Sequence, residues 1–195
     1  MANAYIFRFI VWNLVLIFEK ELLLLFNFFR LWYNDFAERG GCMETRLYMP
    51  KDLHDVLELF YDNVHTVCTQ DYTQEQLDAW APKDADVQRW EASLNKNHTL
   101  VVEDDGKIVG FGNIGETGYL DRLYVRADYL HQGIATMIVK KLEKYATTKG
   151  IRFMNTAASI TSKPFFEAMG YVEIEEQVVE RRGVRLRRYL MEKKL

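Results

Sequence analysis

The feature that most narrows the fold is a strand that runs into a short glycine-bearing loop and then a long helix. Residues 119–126, YLDRLYVR, read as a strand. From Gly133 to Thr148, Ile134, Met137, Ile138, Leu142 and Tyr145 recur at helical spacing, and Gly150 closes the run. Gly133 and the small Ala135 leave room for successive backbone amides to approach a pyrophosphate at the positive end of the helix. No Gly-Lys-Ser/Thr follows, so this is not the phosphate loop of a nucleotide hydrolase, and a plain glycine helix start is the competing reading.

The elements around this unit complete one domain. TRLYM (45–49) reads as a strand, and Pro50 and Asp52 open a helix carrying Leu53, Val56, Leu57, Phe60 and Val64 on one face. Thr73 with Gln76 forms a capping box for a second helix, and Asp84 or Asp86 offers a further start. HTLVVED, an Asp-Asp-Gly-Lys turn and KIVGFGNIG predict a hairpin. IRFMNTAA is a strand, SKPFFEAMG a short helix, and two strands around Arg182-Gly183 finish the chain. The order β-α-α-β-β-β-α-β-α-β-β predicts a mixed α+β domain over residues 43–195, with about seven strands in a mostly antiparallel sheet and about four helices.

The first 42 residues differ in kind. They hold 28 hydrophobic residues, while the apolar fraction of residues 43–195 is about 44%, ordinary for a soluble domain. One apolar run extends from Phe9 to Phe18 and another from Leu22 to Phe29, separated by Glu19, Lys20 and Glu21. Neither reaches the roughly 20 residues of a spanning helix, and joining them sets three charges near mid-bilayer. A secretory signal fits poorly, with only Arg8 in the n-region and no small-x-small cleavage site. Three readings stand: translation starting at Met43, a hairpin at a membrane surface or partner, or a single span. Membrane contact is therefore expected only if residues 1–42 belong to the working protein.

Several chemistries are disfavoured. A net charge of −3 gives no general pull towards nucleic acid, and two cysteines, Cys42 and Cys68, suit a reducing, cytoplasmic setting. GFGNIG (Gly110, Gly112, Gly115) matches the dinucleotide pattern but leads into another strand, so close packing against those glycines is the better account. His65 and Cys68 have no accompanying ligands, and no metal is expected. No Ser or Cys sits in a pattern with a His–acid pair, which argues against a covalent acyl-enzyme. Arg181, Arg182, Arg185, Arg187 and Arg188 face a strand rich in Glu173, Glu175, Glu176 and Glu180, so cross-strand pairing is expected.

DRLYVRADYLHQGIATMIVKKLEKYA resembles the acetyl-CoA motif of the GCN5-related N-acetyltransferases, and with DYTQEQLDAW, AASITSKPFFEAMGY and VERRGVRL the likeness extends to a YafP-like bacterial branch. The resemblance covers about residues 43–195. It implies the acyl-CoA N-acyltransferase fold, acetyl-CoA as acyl donor and no metal. It implies that Leu123, Tyr124 and Val125 hold the thioester carbonyl and pantetheine arm, and that Leu130, His131, Gln132, Gly133, Ile134, Ala135 and Thr136 form the pyrophosphate loop. Ser159 stands where the family often has a cofactor-contacting Asn. Phe166 replaces a frequent Tyr and has no hydroxyl to protonate a departing thiolate.

Acetyl transfer needs an amide donor at the forming oxyanion and a base for the ammonium. Strand alternation predicts Tyr119, Asp121, Leu123 and Val125 on one face, which makes Asp121 the candidate base, or the holder of a water that is. An ion pair with a neighbouring arginine is the competing role. Leu123 is expected at the reacting carbonyl, Tyr72 as a source of the missing proton, and Tyr72, Trp80 and Tyr119 around the acceptor. The expected reaction is direct transfer in a ternary complex to an amine on a small molecule, or less favourably a peptide. The opposing reading is a non-catalytic acyl-CoA sensor on the same fold. No nucleic-acid partner is expected, and the resemblance implies the last strands as the surface of a homodimer.

Overall fold

The computed structural model describes residues 43–195, and the readings made for residues 1–42 lie outside them. The strands are β1 (Glu44–Leu47), β2 (His98–Asp104), β3 (Lys107–Ile114), β4 (Tyr119–Val125), β5 (Phe153–Ser159), β6 (Val172–Arg181) and β7 (Val184–Lys194). They form one seven-stranded sheet in the order β1-β2-β3-β4-β5-β7-β6, antiparallel except between β4 and β5. Two of its hairpins turn on left-handed pairs, Asp105-Gly106 and Arg182-Gly183, as their sequences require.

Among the described residues five α-helices flank the sheet: α1 (Leu53–Val67), α2 (Gln74–Trp80), α3 (Val87–Lys96), α4 (Ile134–Thr148) and α5 (Lys163–Ala168). The Thr73–Gln76 capping box at α2 forms as its sequence predicts. The start at Asp86 is also used: its carboxylate accepts from the Arg89 N–H and opens α3, a helix beyond the expected order.

Two cores lie on opposite faces of the sheet. The first packs α4 and α5 through Ile134, Ile138, Leu142 and Phe166 against Val102, Leu120 and Met154. Gly110 and Gly112 let α4 approach closely, since a Cβ at either would sit 2.8 Å from Ile134 or Ile138. The second core packs α1, α2 and α3 through Leu59, Phe60, Leu77 and Leu94 against Val101 and Phe111. The buried stripe of α1 is Val56, Leu59, Phe60, Asn63 and Val64, with an amide among hydrocarbons.

A β-bulge corrects the predicted strand face. Ile114 pairs with Leu120 and Asn113 with Arg122, so Asp121 is the extra residue. The alternation slips there. Leu120, Leu123 and Val125 all pack with the α4 core, while Tyr124 packs with the α1 core. Tyr119 alternates with Leu120 before the bulge, so it does not share the face of Leu123 and Val125.

Candidate active site

The sheet is split at its centre. β4 and β5 pair only at Tyr119–Asn155 and Leu120–Thr156, and then they diverge. The buried Thr156 hydroxyl donates to the Leu120 carbonyl at 2.9 Å, just where they part. Antiparallel pairs alternate between hydrogen-bonded and non-bonded residues. The Arg126 N–H donates to the Val109 carbonyl at 2.9 Å, which fixes the phase of the β3–β4 ladder. Leu123 and Val125, opposite Gly112 and Gly110, therefore direct their N–H and C=O groups away from β3 into the fork. The Val125 carbonyl is taken by Asn63, whose Nδ2 donates at 2.5 Å. The amides of Leu123 and Val125 and the Leu123 carbonyl are left for a ligand.

One end of the fork meets the start of α4. His131 and Gly133 are both left-handed, with φ of 60° and 82°, and Gly133 provides no side-chain cap. The first intrahelical bond in this turn runs from the Met137 N–H to the Gly133 carbonyl. The N–H groups of Ile134, Ala135 and Thr136 thus have no partner within a fifteen-residue helix. Such an end favours an anion through aligned donors and the helix dipole.

Fork and helix end open into one cavity of 560 Å³. Of the residues singled out in the sequence, Asp121, Leu123, Tyr124, Val125, Leu130, His131, Gly133, Ile134, Ala135, Thr136, Ser159, Phe166 and Trp80 line it. Gln132, Tyr72 and Tyr119 do not. Gln132 turns back to donate to the Asp128 carbonyl at 3.2 Å. Tyr72 is a strut: its hydroxyl donates to the Arg187 carbonyl at 2.8 Å and accepts from the Ile160 N–H at 2.9 Å. Burial pushes that phenol up to about 12, and its hydroxyl, bonded on both sides, lies outside the cavity lining rather than facing the departing sulfur. Burial also raises the phenols of Tyr119 and Tyr124 and the thiol of Cys68.

Asp121 reaches the cavity wall but takes up the competing role. Its carboxylate lies 2.5 Å from the Arg122 guanidinium, which also donates to Ser93 Oγ and stacks over Trp90 at 4.2 Å. Phe166 is almost fully buried between Phe165 and Tyr171. The sequence reading missed Asn63, Thr156, Thr161 and Ser162 and weighed Cys68 only as a metal ligand, and all five are in the lining. Only Asn63 gave a signal, as a polar residue at a buried helical position. Ser159 and Ser162 exchange hydroxyl and amide bonds of 2.9–3.0 Å, which stiffen the turn between β5 and α5.

The other candidates resolve structurally. His65 is held by the Tyr61 carbonyl at 2.9 Å and by Asp78 at 3.0 Å. Arg187 pairs across the hairpin with Glu176 at 3.3 Å, whereas Arg188 bonds Gln177 and Arg182 reaches Asp84. Among the described residues no helix is long and apolar enough to cross a membrane.

A split sheet whose free strand edge leads to a bare helix end is the architecture of an acyl-CoA-dependent acyltransferase. The chain matches the family described as "Acetyltransferase (GNAT) domain" over residues 68–194, and it belongs to that family. It is 33% identical over 141 residues to the uncharacterized N-acetyltransferase YafP of Escherichia coli K12, covering 72% of this chain and 89% of that protein. A crystal structure of a GCN5-related N-acetyltransferase from Rhodopseudomonas palustris shares 30% identity at a TM-score of 0.76, covering 78% of this chain and 96% of that one. The fold is also that of the PaiA N-acetyltransferase from Thermoplasma acidophilum, solved with coenzyme A, at 21% identity and a TM-score of 0.62 over 78% and 99% of the two chains.

Proposed function

We propose that this domain moves an acetyl group from acetyl-CoA to the amine of a small molecule, by direct transfer in a ternary complex in the cytoplasm, and that it belongs to the YafP-like branch of its family. One observation carries the reading: the fork between β4 and β5 leaves the Leu123 and Val125 amides free, and it ends at the unpaired N–H groups of Ile134, Ala135 and Thr136. A long donor with an amide-bearing arm and a pyrophosphate head fits that sequence of groups, and the coenzyme A complex of the Thermoplasma acidophilum protein on the same fold supports it. The lining residues fit acetyl-CoA, and the proposed reaction calls on no metal.

In this reading the arm lies along β4, and the Leu123 N–H donates to the thioester oxygen as it becomes an oxyanion. The acceptor enters from the side of α1 and α2, between Trp80, Tyr124 and Val67. These apolar walls hold the amine with little water, which keeps its lone pair available for attack. The C–N bond forms, the C–S bond breaks, and the nitrogen gives up one proton while the sulfur gains one. Asp121 stands at the wall immediately after the last β4–β5 pair, and its pairing with Arg122 favours a role as holder of a water over that of the base itself.

Phe166, which cannot protonate sulfur, favours the second reading of a cofactor-binding sensor. One assay separates them: acetyl-CoA binding by calorimetry, alongside thiol release with spermidine, tyramine, L-phenylalanine and a tripeptide. Amine-dependent thiol release is expected. Binding without thiol release from any of these amines overturns the transferase reading in favour of the sensor.

A further inference from the structure

The proton lost by the acceptor nitrogen needs a path, and Asp121 is a poor one because Arg122 holds its carboxylate at 2.5 Å. A different set of groups reaches from the cavity to solvent. Thr161 lines the cavity, and its hydroxyl donates to the Asp71 carboxylate at 2.6 Å. Asp71 is outside the lining and exposed. The thiol of Cys68, buried, lines the cavity as well. Burial raises that thiol and keeps it protonated, so Cys68 is not read as a nucleophile.

The placement of Thr161 is built from both sides. The Asp71 and Tyr72 N–H groups each donate to the Cys68 carbonyl at 3.1 Å, fixing the turn after α1. Tyr72 then accepts from the Ile160 N–H, next to Thr161, at 2.9 Å. On the other flank the Ser159–Ser162 exchange closes the turn around it. A threonine hydroxyl has one proton and two lone pairs, so a group that already donates to a carboxylate can still accept from a substrate.

We propose that Thr161 and Asp71 form the proton exit of the transfer reaction, with Thr161 as a catalytic residue and Asp71 positioning and charging it. As the C–N bond forms, the nitrogen becomes a stronger acid and its N–H proton passes to Thr161 Oγ1. In the same movement the Thr161 hydroxyl proton passes to an oxygen of Asp71, and from that exposed carboxyl to water. One proton enters the pair and one leaves, and no other reactant is needed. The inference rests on the transferase reading above.

The test uses the full chain with acetyl-CoA and the same four amines, comparing Thr161→Val, Thr161→Ser, Asp71→Asn and Asp121→Asn. Thr161→Val and Asp71→Asn are expected to lower kcat by about ten- to a hundred-fold, within the range of general-base effects, with the KM and calorimetric Kd for acetyl-CoA unchanged. Thr161→Ser is expected to restore at least a third of wild-type kcat, which mere packing of the threonine would not explain. Asp71→Asn keeps an oxygen to accept from Thr161 and removes only the charge. The proposal is overturned if Thr161→Val and Asp71→Asn stay within two-fold of wild type, or if Asp121→Asn alone abolishes turnover. Absence of thiol release by the wild type with all four amines overturns the transferase reading and this one together.

Discussion

Asn63 donates its side-chain amide to the carbonyl of Val125 at 2.5 Å, joining the middle of α1 to the end of β4 across 62 positions. Both residues are buried, so this bond occupies a carbonyl that otherwise faces the fork without a partner. Asn63→Leu removes the donor and strands the acceptor. Unfolding in denaturant is expected to show a loss of about 1–3 kcal/mol, the cost of a buried unsatisfied group. Calorimetry is expected to show weaker acetyl-CoA binding, because the end of β4 that would hold the arm is no longer anchored.

Gly112 sits where α4 crosses β3. An added Cβ would lie 2.8 Å from Ile138 Cγ2, 3.0 Å from the Arg122 carbonyl and 3.3 Å from Leu123 Cδ1. At Gly110 the tight contact is Ile134 Cγ2 at 2.8 Å, a side-chain end that can move, and the nearest backbone atom is 3.4 Å away. Gly112→Ala is therefore expected to cost more than Gly110→Ala, on the order of 1–3 kcal/mol for overpacking. Thermal unfolding of the two variants side by side checks the ranking. The reverse order would mean that Ile138 yields more easily than Ile134.

These glycines also mark what the sequence could show. The helix start at Gly133 and the capping box at Thr73 were legible because each is set by a few neighbouring residues: a left-handed φ of 82° in one case, paired side-chain bonds in the other. The bulge at Asp121 was not. It arises from one residue more on β4 than on β3, and single-strand alternation carries no record of its partner's length. That slip separated Tyr119 from Leu123 and turned the neighbouring Arg122 towards Trp90 and Ser93. Tyr72 was misread for a related reason. Its partners, Arg187 and Ile160, lie 115 and 88 positions away, so nothing local showed that its hydroxyl was already engaged.

Arg46 on β1 ties the start of α1 to β2. Its guanidinium lies 2.6 Å from Asp52 and 2.7 Å from Glu103. Burial opposes ionisation of Asp52, but bonds from Arg46 and the Met49 N–H, with the Arg46 charge, outweigh it and hold the carboxyl below its usual range. A carboxyl depressed in the folded state adds stability above its unfolded value, about pH 3.9, and that stability is lost as pH falls through the folded value. Unfolding free energy is thus expected to drop below about pH 4. Arg46→Met leaves Asp52 buried and unpaired, with an expected loss of roughly 3 kcal/mol at pH 7. Replacing both partners, Arg46→Met with Asp52→Leu, is expected to recover much of it. Denaturant curves at pH 7, pH 4 and pH 2.5 measure both effects.

At the alkaline end the buried phenols set the limit. Tyr72 is pushed up to about 12 by burial, opposed by its bond from the Ile160 N–H, and burial also raises Tyr124 and Tyr171. For a phenol raised in the folded state, stability is fully present below the unfolded value of about 10 and is lost as pH rises through the folded value. The wild-type protein is expected to lose stability steadily above pH 10. Tyr72→Phe separates two contributions of this hydroxyl. At pH 7 it removes the bonds to Arg187 and Ile160, with an expected cost of about 1–3 kcal/mol. Above pH 10 it removes one of the titrating groups, so its stability is expected to fall less steeply than that of the wild type. Urea unfolding at pH 7, 10 and 11 tests both. Parallel slopes above pH 10 would mean that Tyr72 ionises in the folded protein as readily as in the unfolded chain, contrary to the closed environment around its hydroxyl.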